Sequence, residues 1–356
     1  MYFKNLQGLR DHVDTLKLSQ GQQLMVFAGD ESDRDIPELI KYFNDKKVEF
    51  FGGIYSGLLV GSTNTRTGFI VKTVEPVYSS LVLPFMMKFN LSPDEISNST
   101  AIVVVDGLSS RMKDLTDTLF KKVGNSVKYV GGGAGYYSLE HKPCIFNNQG
   151  IFEDALHVCI VKSDSLVAVE HGWQKLRGPF YVTRSYDNVL QKLDGEDALE
   201  IYKQVIEEEE NIMLFKEDFF AIAKDHPFGI LQNDGRVIVR DPISMNDNGE
   251  IICVADIPEG SQVFVLKGDA DTLLESSLNI ADFCSQNAPK EYTPLLFNCI
   301  SRAMFLENRF TVELSNIQKG LDNVVEGALS IGEIASKRNG ELVIHNKSTV
   351  LALLYK

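Results

Sequence analysis

The chain has 356 residues, 44% of them hydrophobic and 24% charged, with only 11 prolines and 27 glycines that follow no three-residue period. At about 150 residues per domain this sets an expectation of two domains with sizeable cores, and it excludes a largely disordered chain or a collagen-like one. With 35 Lys and Arg against 49 Asp and Glu the formal charge is −14, so the molecule repels phosphate polymers and anionic lipid, and nucleic acid is excluded as a partner.

At the start, Arg10, Asp11, Asp14 and Lys17 interrupt the apolar stretch that an export signal requires. The longest apolar runs, residues 102–105 and 80–87, fall short of the roughly 20 that cross a bilayer. A cytoplasmic chain with no membrane contact is expected. The five cysteines, at 144, 159, 253, 284 and 299, contain no C-x-x-C and read as reduced thiols.

In chain order, residues 23–28 read as a strand, 37–44 as a helix and 48–54 as a second strand. Residues 68–74 and 80–85 look like neighbouring strands. Residues 101–105 are a continuous β-branched run suited to a strand buried on both faces, feeding a helix over 109–123 with Met112, Leu115, Leu119 and Val123 on one side. The block 127–193 reads as β. Within it, 156–161 and 166–170 flank Lys162-Ser163-Asp164-Ser165, a polar cluster of hairpin length, and 180–185 makes a further strand. Asp194 is then an N-cap candidate for a helix whose apolar face is Ala198, Leu199, Ile201, Tyr202, Val205 and Ile206. That helix ends at the acidic run 207–210, read as a solvated helix end.

A domain boundary is expected between 210 and 225, giving domains 20–215 and 216–356. In the second, 236–240 and 251–255 are strands around the turn-rich 246–249, 262–267 is another strand, 272–284 a helix and 295–299 an apolar strand. Residues 342–344 and 350–354 close the chain as strands, and no repeat of solenoid type is present. The expected fold class is α+β: two domains with mixed, largely antiparallel sheets and helices on the outer faces, for which a layered α-β-β-α stack is one arrangement.

Gly131-Gly132-Gly133-Ala134-Gly135 follows a strand, but what comes next is turn and strand instead of the helix a phosphate loop must open. A structural glycine turn allowing close backbone approach is favoured. His141, Cys144, His157 and Cys159 offer two nitrogens and two sulfurs, yet their spacings match no common zinc module, and core positions are favoured. Asp106-Gly107, at the end of a buried strand, suits a metal, a substrate or the turn into the next helix. No G-x-S-x-G, no H-E-x-x-H and no carboxylate cluster supports catalysis. His171-Gly172-Trp173 holds the only tryptophan, and its histidine is either a turn residue or a ligand for haem or another small molecule.

The most suggestive grouping lies in the second half. Cys299-Ile300-Ser301-Arg302 ends a buried strand, and Arg240-Asp241-Pro242 does the same elsewhere; an arginine fork suits a carboxylate. Glu333 can receive an ammonium group or pair with one of those arginines. The expected ligand pocket therefore takes Arg302, Arg240 and Glu333, with Cys299 and Asn346 in its wall, salt-bridged scaffolding being the alternative.

Read together, Val130-Gly131-Gly132-Gly133-Ala134-Gly135, His171-Gly172-Trp173, Val182-Thr183-Arg184, Leu193-Asp194-Gly195-Glu196-Asp197-Ala198-Leu199 and Tyr202 resemble, in that order, the amino-terminal domain of FIST proteins. His226-Pro227-Phe228-Gly229, Arg240-Asp241-Pro242, Phe297-Asn298-Cys299-Ile300-Ser301-Arg302, Gly332-Glu333-Ile334 and His345-Asn346-Lys347-Ser348-Thr349 resemble the carboxy-terminal domain. The resemblance implies a sensory module for a small ligand, with amino acids suggested, and one branch binding haem b and sensing nitric oxide. For that branch His171 is the axial candidate, with His226 or His345 as substitutes. It also implies output through a partner histidine kinase or cyclic-dinucleotide enzyme. The rival from another class is an enzyme that uses Cys299 or Asp106 on a small amide or carboxylated substrate.

Overall fold

Apolar, β-branched runs build the strands at the centre of the molecule. In the computed structural model, which describes residues 1–337 and 339–356, the strand Ser99–Asp106 is buried along its whole length. Its residues divide with the two-residue period of a pleated strand: Ile102 and Val104 enter one core, Ala101, Val103 and Val105 another. The same division splits Leu295 and Phe297 from Leu296, and Val350 and Ala352 from Leu351 and Leu353. One side of all three strands faces a shared central core that also takes Leu24, Phe27 and Phe51. The opposite sides are covered by helices, Met112–Val123 on the first strand and Ala270–Asn287 with Phe310–Lys319 on the others. Leu6–Thr15 and Ile36–Asp45 cover the central core from a further side through Leu6, Leu9, Leu39 and Phe43. Each fully buried side chain of this size contributes about 1.5–3 kcal/mol, which is why sheets line the inside and helices the outside.

The fold is thus α+β, with its strands in four mixed or antiparallel sheets, as expected from the sequence. Three parallel pairs stand out: Gln23–Gly29 with Phe50–Tyr55, Ser99–Asp106 with Val127–Ala134, and Thr293–Cys299 with Glu326–Ser330. A parallel pair needs a crossover, and helices supply it each time. Asp106 and Cys299 stand at the carboxyl ends of their interior strands, the end at which open sheets put ligands. Second-half strands complete first-half sheets: Glu326–Ser330 pairs with Gly57–Val60, and Glu333–Ser336 with Val127–Ala134. No helix among the described residues is long and apolar enough to cross a membrane.

Four local expectations are corrected. Residues 156–161 and 166–170 form no hairpin: Leu156–Val161 pairs with Ser99–Asp106, whereas Asp164–Glu170 pairs with the far Thr349–Tyr355 in another sheet. The polar cluster between them is a corner, held where Thr100 Oγ1 donates to the Ser163 carbonyl at 2.8 Å. Phe69–Val74 and Pro76–Val82 likewise separate into two sheets. Asp194 is not the N-cap. It holds a left-handed turn (φ 50°) and accepts the Tyr181 N–H at 2.9 Å, while Asp197 occupies the cap of Ala198–Glu210. Finally, Gly131 to Gly133 lie within the strand Val127–Ala134 and form no turn. A Cβ on Gly131 would sit 1.9 Å from the Val103 carbonyl oxygen, so the close backbone approach expected of these glycines is real.

Candidate functional site

The parallel pair Thr293–Cys299 and Glu326–Ser330 ends in a buried polar cluster. Glu333, fully buried, accepts from Ser330 Oγ at 2.8 Å and from the Ser348 N–H at 3.2 Å. Burial pushes its carboxyl up to about 8, against hydrogen bonds from Ser330, Ser348 and the Cys299 thiol that favour the charge. Burial, then the Glu333 and Asp241 carboxylates, push the Cys299 thiol up to about 12. A thiol so placed is a poor nucleophile. All five cysteines are free and buried. In a thiol titration of the native protein none is expected to react promptly, and all five should react in denaturant; prompt reaction of one native thiol lost in Cys299→Ser would refute this.

Beside this pair lies a second buried charge cluster. Lys347, in a left-handed conformation (φ 51°) and fully buried, places Nζ 3.0 Å from Asp241 Oδ1 and 5.0 Å from the centroid of the Trp173 ring, and donates to the Lys224 carbonyl at 2.7 Å. Ser301 Oγ donates to Asp241 Oδ2 at 2.6 Å, and the Trp173 indole N–H donates to the Lys347 carbonyl at 3.0 Å. Asn346, 1% exposed, donates to the His345 carbonyl, and its Oδ1 has no hydrogen-bond partner among the described residues.

Arg302 is placed otherwise than the expected pocket requires. Its guanidinium forks onto Glu313, Nε to Oε1 and Nη2 to Oε2, both at 3.0 Å, with both side chains fully buried. Nη2 also donates to the Leu273 carbonyl (2.9 Å) and Ser276 Oγ (3.0 Å), and Nη1 donates to the His171 carbonyl. Asn298 and Thr349 donate to the same Glu313 oxygen at 2.6 and 3.0 Å. Arg302 therefore staples the helices Ile300–Leu306, Ala270–Asn287 and Phe310–Lys319 to the 171–173 turn. Side-chain alternation puts Asn298, with Arg302 and Glu313, on the helix-covered face of its strand, and Cys299, with Glu333, on the other. The structure joins Cys299 to Glu333 and spends the Arg302 donors inside the scaffold.

Arg240 has a different setting. It lines a cleft of about 990 Å³ between the helix Met112–Val123, the strands Phe228–Leu231 and Val237–Arg240, and Leu342–His345. Nε donates to the Asp256 carbonyl at 2.7 Å and Nη1 to the Ile344 carbonyl at 3.0 Å, while Nη2 lies 4.0 Å from Asp256 Oδ1. Lys113 paired with Asp117 at 3.0 Å, Lys337 paired with Glu341 at 3.2 Å, and Asp256 give the cleft both charges.

The three haem candidates differ in what their rings already hold. His171 Nδ1 accepts the Trp173 N–H at 3.0 Å, so axial ligation through that nitrogen would break a bond already made. Burial, with Arg302 nearby, lowers its value to about 4. Burial lowers His345 to about 3, helped by Arg240, and His226 Nδ1 lies 3.0 Å from the Ile222 carbonyl. The four-residue zinc set is divided: His157 stacks on Phe51 with ring centroids 4.5 Å apart and meets Ser79 Oγ at 3.0 Å, Cys159 is core, and His141 and Cys144 lie beside Asp106. Sequence reasoning passed over Lys347, Asp241 and Glu313. The available signal for Lys347 was a lone charge between two apolar strands, which is buried only with a partner.

The FIST N domain model matches residues 60–196 and the FIST C domain model residues 198–336. No curated protein matches the chain. The two matches meet at the start of the helix Ala198–Glu210 and together span well over half of the sequence, so the chain belongs to the FIST domain proteins, carrying a FIST N domain followed by a FIST C domain.

Proposed function

We propose that this protein is a sensor for a small amino-acid-like molecule, bound in the Arg240 cleft, that signals through a partner histidine kinase or cyclic-dinucleotide enzyme. FIST domains are associated with small-ligand sensing in signal transduction. The observation that carries the reading is the cleft itself, where a buried arginine stands beside the Asp256 carboxylate on surfaces from both matched domains. With Nε and Nη1 held by the Asp256, Val239 and Ile344 carbonyls, Nη2 offers a carboxylate one charge-assisted contact, and Asp256, with a partly exposed side chain, receives the ammonium group. Ligand binding would then couple the helix Met112–Val123 to the second-half strands, a route by which occupancy alters a docking surface. The proposal rests on the cleft and needs neither haem b nor nitric-oxide sensing; of the axial candidates His171, His226 and His345, the first already uses Nδ1 on the Trp173 N–H.

A thermal-shift screen of free amino acids and small carboxylates on the full chain tests it, followed by titration of any hit. Arg240→Gln is expected to lose about 2–5 kcal/mol of binding. Because Arg240 also holds backbone carbonyls, Asp256→Asn serves as the second variant and should weaken amines selectively. A hit whose affinity neither variant changes would move the site elsewhere.

A further inference from the structure

Two residues of the divided zinc set meet a carboxylate that the sequence had considered separately. Asp106 ends the strand Ser99–Asp106 and is 1% exposed. His141 Nε2 lies 2.9 Å from Asp106 Oδ2 and 3.8 Å from Asp154 Oδ1. One ligand atom from each of the three residues lies within 4.8 Å of the other two. We propose that Asp106, His141 and Asp154 bind a first-row divalent cation, Zn²⁺ or Mn²⁺ being the ions that one imidazole and two carboxylates suit.

The surroundings are built for that task. Asp106 Oδ1 accepts the Leu108 N–H at 3.2 Å and Oδ2 the Asp154 N–H at 2.9 Å, so this carboxylate is held rigidly. Ser109 Oγ donates to Asp154 Oδ1. Behind the imidazole, Glu153 Oε1 stands 3.6 Å from His141 Nδ1, just outside hydrogen-bond reach, and a small side-chain movement would let it fix the tautomer and orientation of a metal-bound histidine. An ion bound at about 2.0–2.2 Å would draw the ligand atoms to within about 4 Å of one another. His141 and Asp154, with side chains 34% and 44% exposed, can supply that shift around the fixed Asp106 and leave a path for the ion and water to enter. The Cys144 thiol also lies against Asp106, on the buried side of the cluster. The cluster sits at the carboxyl end of a parallel pair and is distinct from the Arg240 cleft.

Without metal, a proton joins His141 to Asp106; an ion must displace it, and where the imidazole is charged one proton leaves to the buffer for each ion bound. The test is calorimetric titration of the tag-free, chelator-treated full chain with ZnCl₂ and, separately, MnCl₂, in two buffers of different ionisation enthalpy. At least one of the ions is expected to bind saturably, one per chain, with proton release. His141→Ala and Asp154→Asn should each weaken it at least about tenfold, and Glu153→Gln about tenfold. The surface variant Glu38→Gln should bind as the wild type does. The two ligand changes fall on partly exposed side chains, and a melting curve of each without metal checks that it folds. Added metal should raise the wild-type melting temperature and leave that of His141→Ala unchanged. Equal affinity in the wild type and His141→Ala, or no saturable binding of either ion, would overturn the assignment.

Discussion

Replacing Glu313 with alanine is expected to cost about 3–5 kcal/mol of folding free energy, the range for breaking one partner out of a buried ion pair. The reason is what it leaves behind. Arg302 is fully buried, and with Glu313 gone its charge keeps only neutral acceptors: the His171 and Leu273 carbonyls and Ser276 Oγ. Asn298 and Thr349 lose an acceptor in the same step. Urea unfolding of the full chain measures the loss. Arg302→Lys should also destabilise, because a single ammonium group cannot reproduce the fork, yet it should leave ligand affinity in the Arg240 cleft unchanged. A Glu313→Ala protein as stable as the wild type would show that the pair is not the staple it looks like.

The second large effect is a stability maximum near neutral pH. His157, His171 and His345 are held neutral at about 3, 4 and 3, below the ordinary histidine value, chiefly by burial. Below about 6.5 the unfolded chain takes up protons that the folded chain refuses, so their contribution is complete above that pH and is lost as pH falls toward the folded values. Each proton is worth about 1.4 kcal/mol per pH unit, discounted for His171 and His345, which keep some exposure. Glu333 acts with the opposite sign. Its folded value, about 8, lies above the ordinary carboxylate value, so its contribution is complete below about 4.5 and is lost as pH rises through 8. Between 4.5 and 6.5 three histidines outweigh one glutamate, and above 7 the glutamate prevails. Urea midpoints should fall on both sides of neutrality, and Glu333→Gln should flatten the alkaline limb alone. A midpoint that stays constant from pH 7 to 9 in the wild type would show that Glu333 is not held neutral.

Much of this protein was legible in local pattern. The β-branched run Ile102 to Val105, the strand before Cys299 and the amphipathic helix after Asp197 declare themselves by their periods, because a buried face imposes a period of its own. The hairpin expected at 162–165 failed for a physical reason: Asp164–Glu170 finds its partner in Thr349–Tyr355, nearly two hundred residues away, and no local signal encodes a long-range register. The glycines at 131–133 showed the same limit. Their need for close approach was readable, but the Val103 carbonyl that demands it was not.

Composition, hydrophobic period and motif order are properties of the chain alone, and from them follow the α+β class, the apolar faces, the acidic character and the succession of motifs that marks a FIST protein. Tertiary structure decided which charged residues meet. Arg302 was free on paper to hold a ligand, and folding gave it Glu313 from the next helix, because a buried guanidinium is tolerated only when its donors are filled. Arg240, at the end of a strand in another sheet, was left beside Asp256 at the wall of a cleft, and His141 was brought to Asp106 across thirty-five residues of chain. Pairings of that kind depend on where whole sheets and crossovers place their ends, and a side chain's chemistry follows from the partner it finds there.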